Sequence, residues 1–401
     1  MVKMRRITPT RLLFTCRFIS NNASPPVQPL NVLFFGSDTF SNFSLQALNE
    51  LRQNNGSSGI VDNIQVVTRS PKWCGRQKSI LKYPPIFDMA EKLQLPRPIT
   101  CDTKQEMLAL SKLTPSRQEN PENDGSGAPF NAIIAVSFGK LIPGDLIRAV
   151  PLALNVHPSL LPRHKGSAPI QRALLEGDTY TGVTIQTLHP DRFDHGAIVA
   201  QTEPLAIATM LSKGRVNDST ADFNSEGLPR RTAILMDQLG ALGAQLLGRT
   251  LRERLYLPQN RVQAPTAYKP SYAHRITTED KRIHWARDSA AELLNKLETL
   301  GPLHAFKEAT AAGKDAQNSV LKRILFHECK VMRDARLDNG SKPGMFKYDD
   351  IKDCILVTCR GNLLLCVSRL QFEGFAVERA GQFMARLRKR CGALSEKLVF
   401  L

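Results

Sequence analysis

The run FNAIIAVSFG, residues 130–139, constrains this chain more than any other segment. It is continuously apolar where a half-exposed strand would alternate with polar residues, so it has to be covered on both faces. Strands of that kind belong to sheets with helices on either side. NVLFFGSDTFSNFSLQAL reads as a second buried strand, over 31–35, turning at Gly36 into a helix that starts near Phe40. The turn at Gly36 needs no ligand to explain it. IQVVTRS predicts a strand at 64–70, followed by the basic loop PKWCGRQKSILKYPP and a helix over 86–92. LALNVHPSL, GVTIQTLHP and the segment 199–202 supply further strands, while the polar, turn-rich SRQENPENDGSGAP (116–129) predicts a surface insertion. Strands alternating with helices over 30–255 predict a three-layer α/β domain with a Rossmann-like parallel sheet.

The pattern changes after residue 260. RVQAPTAYKPSYAHRITTED has two prolines and little periodicity, which predicts a linker over 261–280. Beyond it, Ser289–Leu300 has helical periodicity, and short alternating runs such as DCILVTC and GNLLLCVSRLQF follow. Several short strands in so short a stretch predict a small C-terminal β-barrel, OB-like, over 281–401. The catalytic domain is then expected at 29–260.

Charge separates the chain into the same parts. The whole carries a formal +17, of which residues 1–37 supply five basic residues and no acid. Residues 38–260 carry 24 basic against 21 acidic residues, and residues 261–401 carry 25 against 16. The Arg-rich, acid-free start, MVKMRRITPTRLLFTCRFISNN, has the composition of a mitochondrial transit peptide, expected within residues 1–28, and so of a matrix protein. A secretory signal is disfavoured, since no long uninterrupted apolar stretch follows the charges; a basic RNA-binding tail is the alternative. The surplus at the other end predicts a polyanionic partner. No apolar run is long enough to span a bilayer, so no membrane partner is expected. The eight cysteines include no C-x-x-C pair and their spacing to His builds no four-ligand zinc site, so free thiols and no metal are expected. Neither G-x-G-x-x-G nor G-x-x-x-x-G-K-[ST] occurs.

The densest group of reactive side chains is NVHPSLLPRHKGSAPIQRALLEGD, followed by FDHG at 193–196. Asn155 and His157 stand two apart on a strand end, so their side chains share a face. A carboxamide can donate to a developing oxyanion, and an imidazole exchanges protons near neutrality. A carboxylate such as Asp194, brought close by the fold, would favour the charged imidazole or fix its tautomer. Amide, imidazole and carboxylate together suit acyl transfer through a tetrahedral intermediate without a Ser or Cys nucleophile. His189 and His195 stand near Asp194 in sequence and compete for a catalytic role, although a surface position is the simpler expectation for both.

NVHPSLLPRHKGSAPI resembles the signature of the 10-formyltetrahydrofolate-dependent formyltransferases, N-V-H-x-S-L-L-P-R-x-x-G-x-x-P-I followed by Asp-x-Gly. Within that family the chain is most similar to the methionyl-tRNA formyltransferases, through NVLFFGSDTFS, CGRQKS, SFGKLIP and APTAYKPSYAHRITTEDKRIHW. It departs in having FDHG where L-D-T-G is common, one extra residue between Gly182 and Asp194, and His164 and Lys165 where Trp and Arg are common. The resemblance implies transfer of a formyl group from 10-formyltetrahydrofolate, as co-substrate, to the α-amine of initiator methionyl-tRNA, by a monomer. Asn155, His157 and Asp194 match the catalytic trio. Ser159, Leu160, Leu161 and Pro162 match a folate-contacting turn, and Phe138, Leu141 and Ile142 are candidate walls of the pterin slot; Ile134 is expected in the core. Arg76, Lys72, Lys78 and Lys82 are the expected tRNA contacts of the basic loop, with Arg386, Arg388, Lys389 and Arg390 those of the last helix. A hydrolase releasing formate, a formyltransferase for a small amino sugar or nucleotide, and a non-catalytic RNA-binding protein on the same fold are the rival expectations.

Overall fold

The computed structural model describes residues 28–53, 59–75, 78–114, 129–213, 227–260, 268–310, 318–332 and 341–401. The expected leader up to residue 27, Arg76, residues 116–128 of the insertion and residues 261–267 of the linker lie outside the described residues.

The N-terminal part begins with β1 (Leu30–Gly36), α1 (Thr39–Gln53) and β2 (Val61–Thr68). The basic loop is a hairpin of β3 (Lys72–Cys74) and β4 (Ile80–Lys82). α2 (Ile86–Lys92), β5 (Ile99–Thr100) and α3 (Lys104–Ala109) lead to β6 (Ala132–Val136), α4 (Gly144–Arg148) and β7 (Leu152–His157). Then come α5 (Pro169–Leu175), β8 (Tyr180–Thr181), β9 (Thr184–Thr187), β10 (Ile198–Gln201), β11 (Leu205–Ala206), α6 (Ile207–Lys213) and the long α7 (Arg230–Arg252).

Seven strands form one sheet in the order β10-β9-β7-β6-β1-β2-β5. Two-face burial is plain in β1: Val32 and Phe34 enter one hydrophobic cluster with α1 and α7 residues, while Leu33 and Phe35 enter a second with Met107 and Leu146. Ile134 and Ile133 of β6 divide the same way, so Ile134 is core. The parallel sheet expected from the sequence holds for five strands; β9 runs antiparallel to both its neighbours, β7 and β10. A parallel neighbour requires the chain to return to the start of the strand. Here residues 158–183 stay at the end where β7 finishes, so His157 pairs with Thr184 and Asn155 with Gln186.

The C-terminal part opens with α8 (Ala290–Leu300), whose Ser289–Glu292 capping box satisfies two otherwise unpaired N–H groups. β12 (Leu303–Thr310), β13 (Ser319–Met332), β14 (Phe346–Asp349), β15 (Cys354–Thr358), β16 (Leu364–Phe372) and β17 (Val377–Arg379) form a curled antiparallel sheet, and α9 (Ala380–Cys391) packs on it. The final residues lie between the sheet's edges: Phe346 donates to the Leu398 carbonyl and Phe400 to that of Gly344, while Phe306 and Leu401 exchange backbone hydrogen bonds. The Phe400 ring is buried, 4.2 Å from that of Phe346 and 5.2 Å from that of Phe326. Burial pushes the thiols of Cys354 and Cys359 up to about 12, consistent with unreactive core filler. No described helix is long and apolar enough to cross a membrane.

The two parts are pinned together. Asn295 of α8 donates to the Leu174 carbonyl at 2.9 Å, and Thr232 of α7 to that of Thr299 at 2.7 Å. Arg172 of α5 reaches Asp280 at 2.7 Å and also the carbonyls of His274 and Arg275. Burial alone would raise the Asp280 carboxyl, but hydrogen bonds from Arg172 and Thr277 outweigh it and bring it down to about 2. Stability from a depressed carboxyl is fully present above its unfolded pKa, near 4, and is lost as pH falls through the folded value near 2. Asp280→Asn should therefore cost ~2 kcal/mol near neutrality, with the gap to the parent closing between pH 4 and 2, measured by urea midpoints across that range. Phe400→Ala removes a fully buried ring and should destabilise the chain by ~3–5 kcal/mol in the same urea titration.

Candidate active site

The antiparallel return of β9 makes the centre of the site. Because Asn155 and Gln186 pair directly across β7 and β9, two carboxamides stand side by side on a buried sheet. The turn before β10 brings Asp194 over them. Its Oδ1 accepts from Asn155 Nδ2 at 3.2 Å and from Gln186 Nε2 at 2.7 Å, and it lies 3.4 Å from His157 Nδ1. Its Oδ2 accepts from the backbone N–H of Gly166 at 2.8 Å. Three N–H groups and the His157 ring converge on a side chain that is 7% exposed, surroundings that suit a carboxylate. His157 is fixed from its other side, where Nε2 donates to the His164 carbonyl at 2.9 Å, which leaves Nδ1 as the ring atom facing Asp194.

Two glycines make this convergence possible. A Cβ on Gly196 would stand 1.6 Å from the Thr187 carbonyl oxygen, so only glycine lets the Asp194 turn lie flat on β9. Thr187 and Ala197 hydrogen-bond across that contact, and Asp194 itself takes a φ of +54°, a conformation Asp tolerates. Gly166, at φ +116°, would drive a Cβ to 2.8 Å from the Ala273 carbonyl oxygen, yet its N–H must reach Asp194. The spacing of Asp-x-Gly and R-x-x-G thus has a steric cause.

A cleft of about 520 Å3 opens onto these groups at the carboxyl ends of β6 and β7. Phe138 and Ile142 are buried in its wall and Leu141 is partly exposed at its edge, as expected for an apolar slot. The turn Ser159–Pro162 follows Pro158, which lines the cleft, and is held by local contacts. The Ser159 hydroxyl is used on the Arg163 carbonyl and its own carbonyl accepts from Thr184, while Leu160 and Leu161 are buried beneath the turn. Residues 268–275, expected as linker, run along the loop instead: Lys165 and Tyr272 form a parallel bridge, and Lys165 exchanges hydrogen bonds with Ser271 and Ala273. Tyr272, His274 and Arg275 therefore line the cleft. Sequence reasoning missed them because an irregular strip carries no periodicity. It also missed Gln186, a carboxamide on the short strand TIQT; its Oε1 is buried without a hydrogen-bond partner.

The competing histidines stand outside the convergence. His189 Nδ1 accepts from the N–H groups of Asp191 and Arg192, and His195 Nδ1 faces the Phe193 carbonyl. His164, Glu176 and Asp178 form a cluster of ligand-type atoms, but Arg163 and His164 each take one Asp178 oxygen at 2.6 Å.

The basic residues divide. Lys72 and Lys82 face each other across the β3–β4 hairpin, where Lys78 sits near the tip and Trp73 and Ile80 are about 60% exposed. Arg388 and Lys389 of α9 are exposed. Arg386 pairs with Glu378 at 2.7 Å while remaining half exposed. Arg390 is removed from the expected phosphate contacts: its side chain is 5% exposed, paired with Glu378 and stacked 4.2 Å from the centre of the Phe375 ring.

Two family models match the chain: "Formyl transferase" over residues 30–232, and "Formyl transferase, C-terminal domain" over residues 275–388. The sequence is 99% identical over 401 residues to a protein of Saccharomyces cerevisiae named methionyl-tRNA formyltransferase, mitochondrial, covering 100% of each chain. A human protein of the same name is 28% identical over 340 residues, covering 83% of this chain and 72% of that one. Among solved structures, an N-formyltransferase from Helicobacter canadensis, in complex with folinic acid and dTDP-3-aminofucose, matches with a TM-score of 0.48 at 14% identity, over 84% of this chain and 98% of that one.

Gly196→Ala should displace the Asp194 turn and, as an overpacked contact against rigid backbone, cost ~1–3 kcal/mol. Thermal unfolding of this variant beside Gly177→Ala, where a Cβ meets nothing within 4 Å, checks that the loss exceeds the strain of a positive φ alone.

Proposed function

This chain belongs to the formyl transferase family, and from that premise we propose that it transfers the formyl group of 10-formyltetrahydrofolate to the α-amine of initiator methionyl-tRNA in mitochondria. The observation that carries the reading is the convergence of Asn155, His157, Gln186 and the Gly166 N–H on buried Asp194 at the floor of an apolar-walled cleft. The cleft suits a flat heterocycle along Phe138, Leu141 and Ile142, and the orphaned Gln186 Oε1 offers an acceptor to an incoming N–H.

In this reading the amine nitrogen attacks the formyl carbon, forming a new C–N bond, and the formyl oxygen takes negative charge. One N–H of Asn155 is held by Asp194 and the other is available to that oxygen. The His157 ring, held between the His164 carbonyl and Asp194, would exchange one of those two partners for the oxygen to act as a second donor. Collapse breaks the bond to N10 of the folate, which takes up the proton released by the amine. No group on the protein becomes covalently modified.

For the RNA, we place its contacts at Lys72, Lys78 and Lys82 of the hairpin and at Arg386, Arg388 and Lys389 of α9, with Arg76, outside the described residues, as a further contact. Catalytic residues 29–260, a linker to 280 and an OB-like C-terminal barrel, with residues 398–401 bridging its sheet edges, remain our division of the chain, acting as a monomer. The residues before 29 serve as a mitochondrial address.

Incubating the chain with 10-formyltetrahydrofolate and charged initiator tRNA should yield formylmethionyl-tRNA; release of formate without acylation of the amine would overturn the reading in favour of a hydrolase. Asn155→Ala should lower turnover ~10²–10³-fold while leaving tRNA binding unchanged in a filter-binding assay.

A further inference from the structure

His164 is a buried polar side chain that the hydrogen bonds at Asp194 do not use. Its ring is 4% exposed, and Nε2 faces Asp178 Oδ2 at 2.6 Å. Asp178 gives its other oxygen to Arg163, also at 2.6 Å, while Nδ1 of the His164 ring is buried without a hydrogen-bond partner. An apolar side chain would fill this space without leaving a ring nitrogen unsatisfied, so packing alone does not account for a histidine here. The residue also stands outside the lining of the cleft. What it reaches is His157, through its backbone: the His164 carbonyl accepts from His157 Nε2 at 2.9 Å, the contact that leaves Nδ1 facing Asp194. That carbonyl is aimed by a left-handed backbone, since His164 takes a φ of +54°, which few residues other than glycine adopt. Two bonds hold it there: the N–H donates to Ser271 Oγ at 2.9 Å, and the ring is moored to Asp178. Asp178 is itself fixed by the end of α5. Its N–H donates to the Ala173 carbonyl and that of Gly177 to the Leu174 carbonyl, a helix cap in which Gly177 supplies the positive φ.

We propose that the His164–Asp178 pair is a positioning device for His157, holding the His164 carbonyl where it fixes the tautomer and the plane of the reacting imidazole. A charged acceptor holds the His164 ring more firmly than a neutral one would. Mooring the ring keeps the left-handed turn from relaxing, and the turn keeps the carbonyl on His157 Nε2. An imidazole bonded at one nitrogen presents the other in a set direction, as the groups behind metal-bound histidines also ensure. Arg163 balances the charge of Asp178, while Glu176, the other acid of the cluster, is exposed. The proposal rests on the reading of His157 as the imidazole of formyl transfer, and it adds a residue that acts through another from outside the cleft.

The test pairs NMR of the histidine ring N–H protons with formylation kinetics, both on the full chain. His164→Leu removes the bond to Asp178, whereas His164→Gln keeps an amide N–H at about the reach of Nε2. In the parent, His157 Nε2–H should give a low-field signal that exchanges slowly with water, assigned by its absence in His157→Gln. His164→Leu should lose that signal and lower kcat on the order of 10- to 100-fold, with KM for folate and RNA little changed. His164→Gln should keep the signal and recover most of the lost kcat. Asp178→Asn, which keeps the size of the acceptor but not its charge, should speed exchange and lower kcat in the same direction; it decides the test should the leucine variant not fold. A variant that melts earlier yet keeps the signal and the parental kcat would reduce His164 to a structural role and overturn the proposal. So would a rise in KM in place of a fall in kcat. The signal does not need formyl transfer, so the two readings fail separately. A chain whose His157 signal depends on His164 but which does not formylate loses the enzymatic reading alone; one that formylates with signal and kcat indifferent to His164 loses the positioning device alone.

Discussion

Everything at the site depends on burying one carboxylate. Removing Asp194 from water costs several kcal/mol, and hydrogen bonds to a charged group return ~1.5–3 kcal/mol each. The groups that meet there come from three separate places: a strand pair that supplies Asn155, His157 and Gln186, a loop glycine at 166, and the turn that carries Asp194 itself. None of these can shift without leaving a buried charge or a buried amide unsatisfied. The carboxylate is therefore the rivet of the sheet edge as well as the charge that orients His157. The same dependence explains why β9 must run antiparallel, since a parallel strand there would not set Gln186 against Asn155.

Much of this was legible in the residues. The apolar run at 130–139 required a sheet covered on both faces, and alternate residues of β1 and β6 do enter two separate cores. The i, i+2 spacing of Asn155 and His157 is enough to set two reactive groups on one face of a strand. What was not legible followed from long-range geometry. Strand direction at β9 depends on where the intervening loop leaves the chain, which hydrophobicity does not encode. Composition misled at Arg390 for a related reason. Counting charges cannot tell an arginine held between Glu378 and an aromatic ring from one that is free to meet phosphate.

The strip at 268–275 shows how the second domain bears on the first. Read as a linker, it would merely join two folded units. In the structure it closes one wall of the cleft, because Ala273 packs where Gly166 has no side chain and Lys165 is bonded on both sides of it. Arg172 then ties the same strip forward, through the carbonyls of His274 and Arg275, to Asp280 and the start of the C-terminal domain. Gly166 also donates to Asp194, so a continuous chain of contacts runs from the domain junction to the reacting centre. A displacement of the C-terminal domain would pull first on Arg172 and Ala273, and next on the glycine that holds the carboxylate. The two domains thus make one cleft, and this strip brings Arg275, one of the basic residues beyond 260, to its lining.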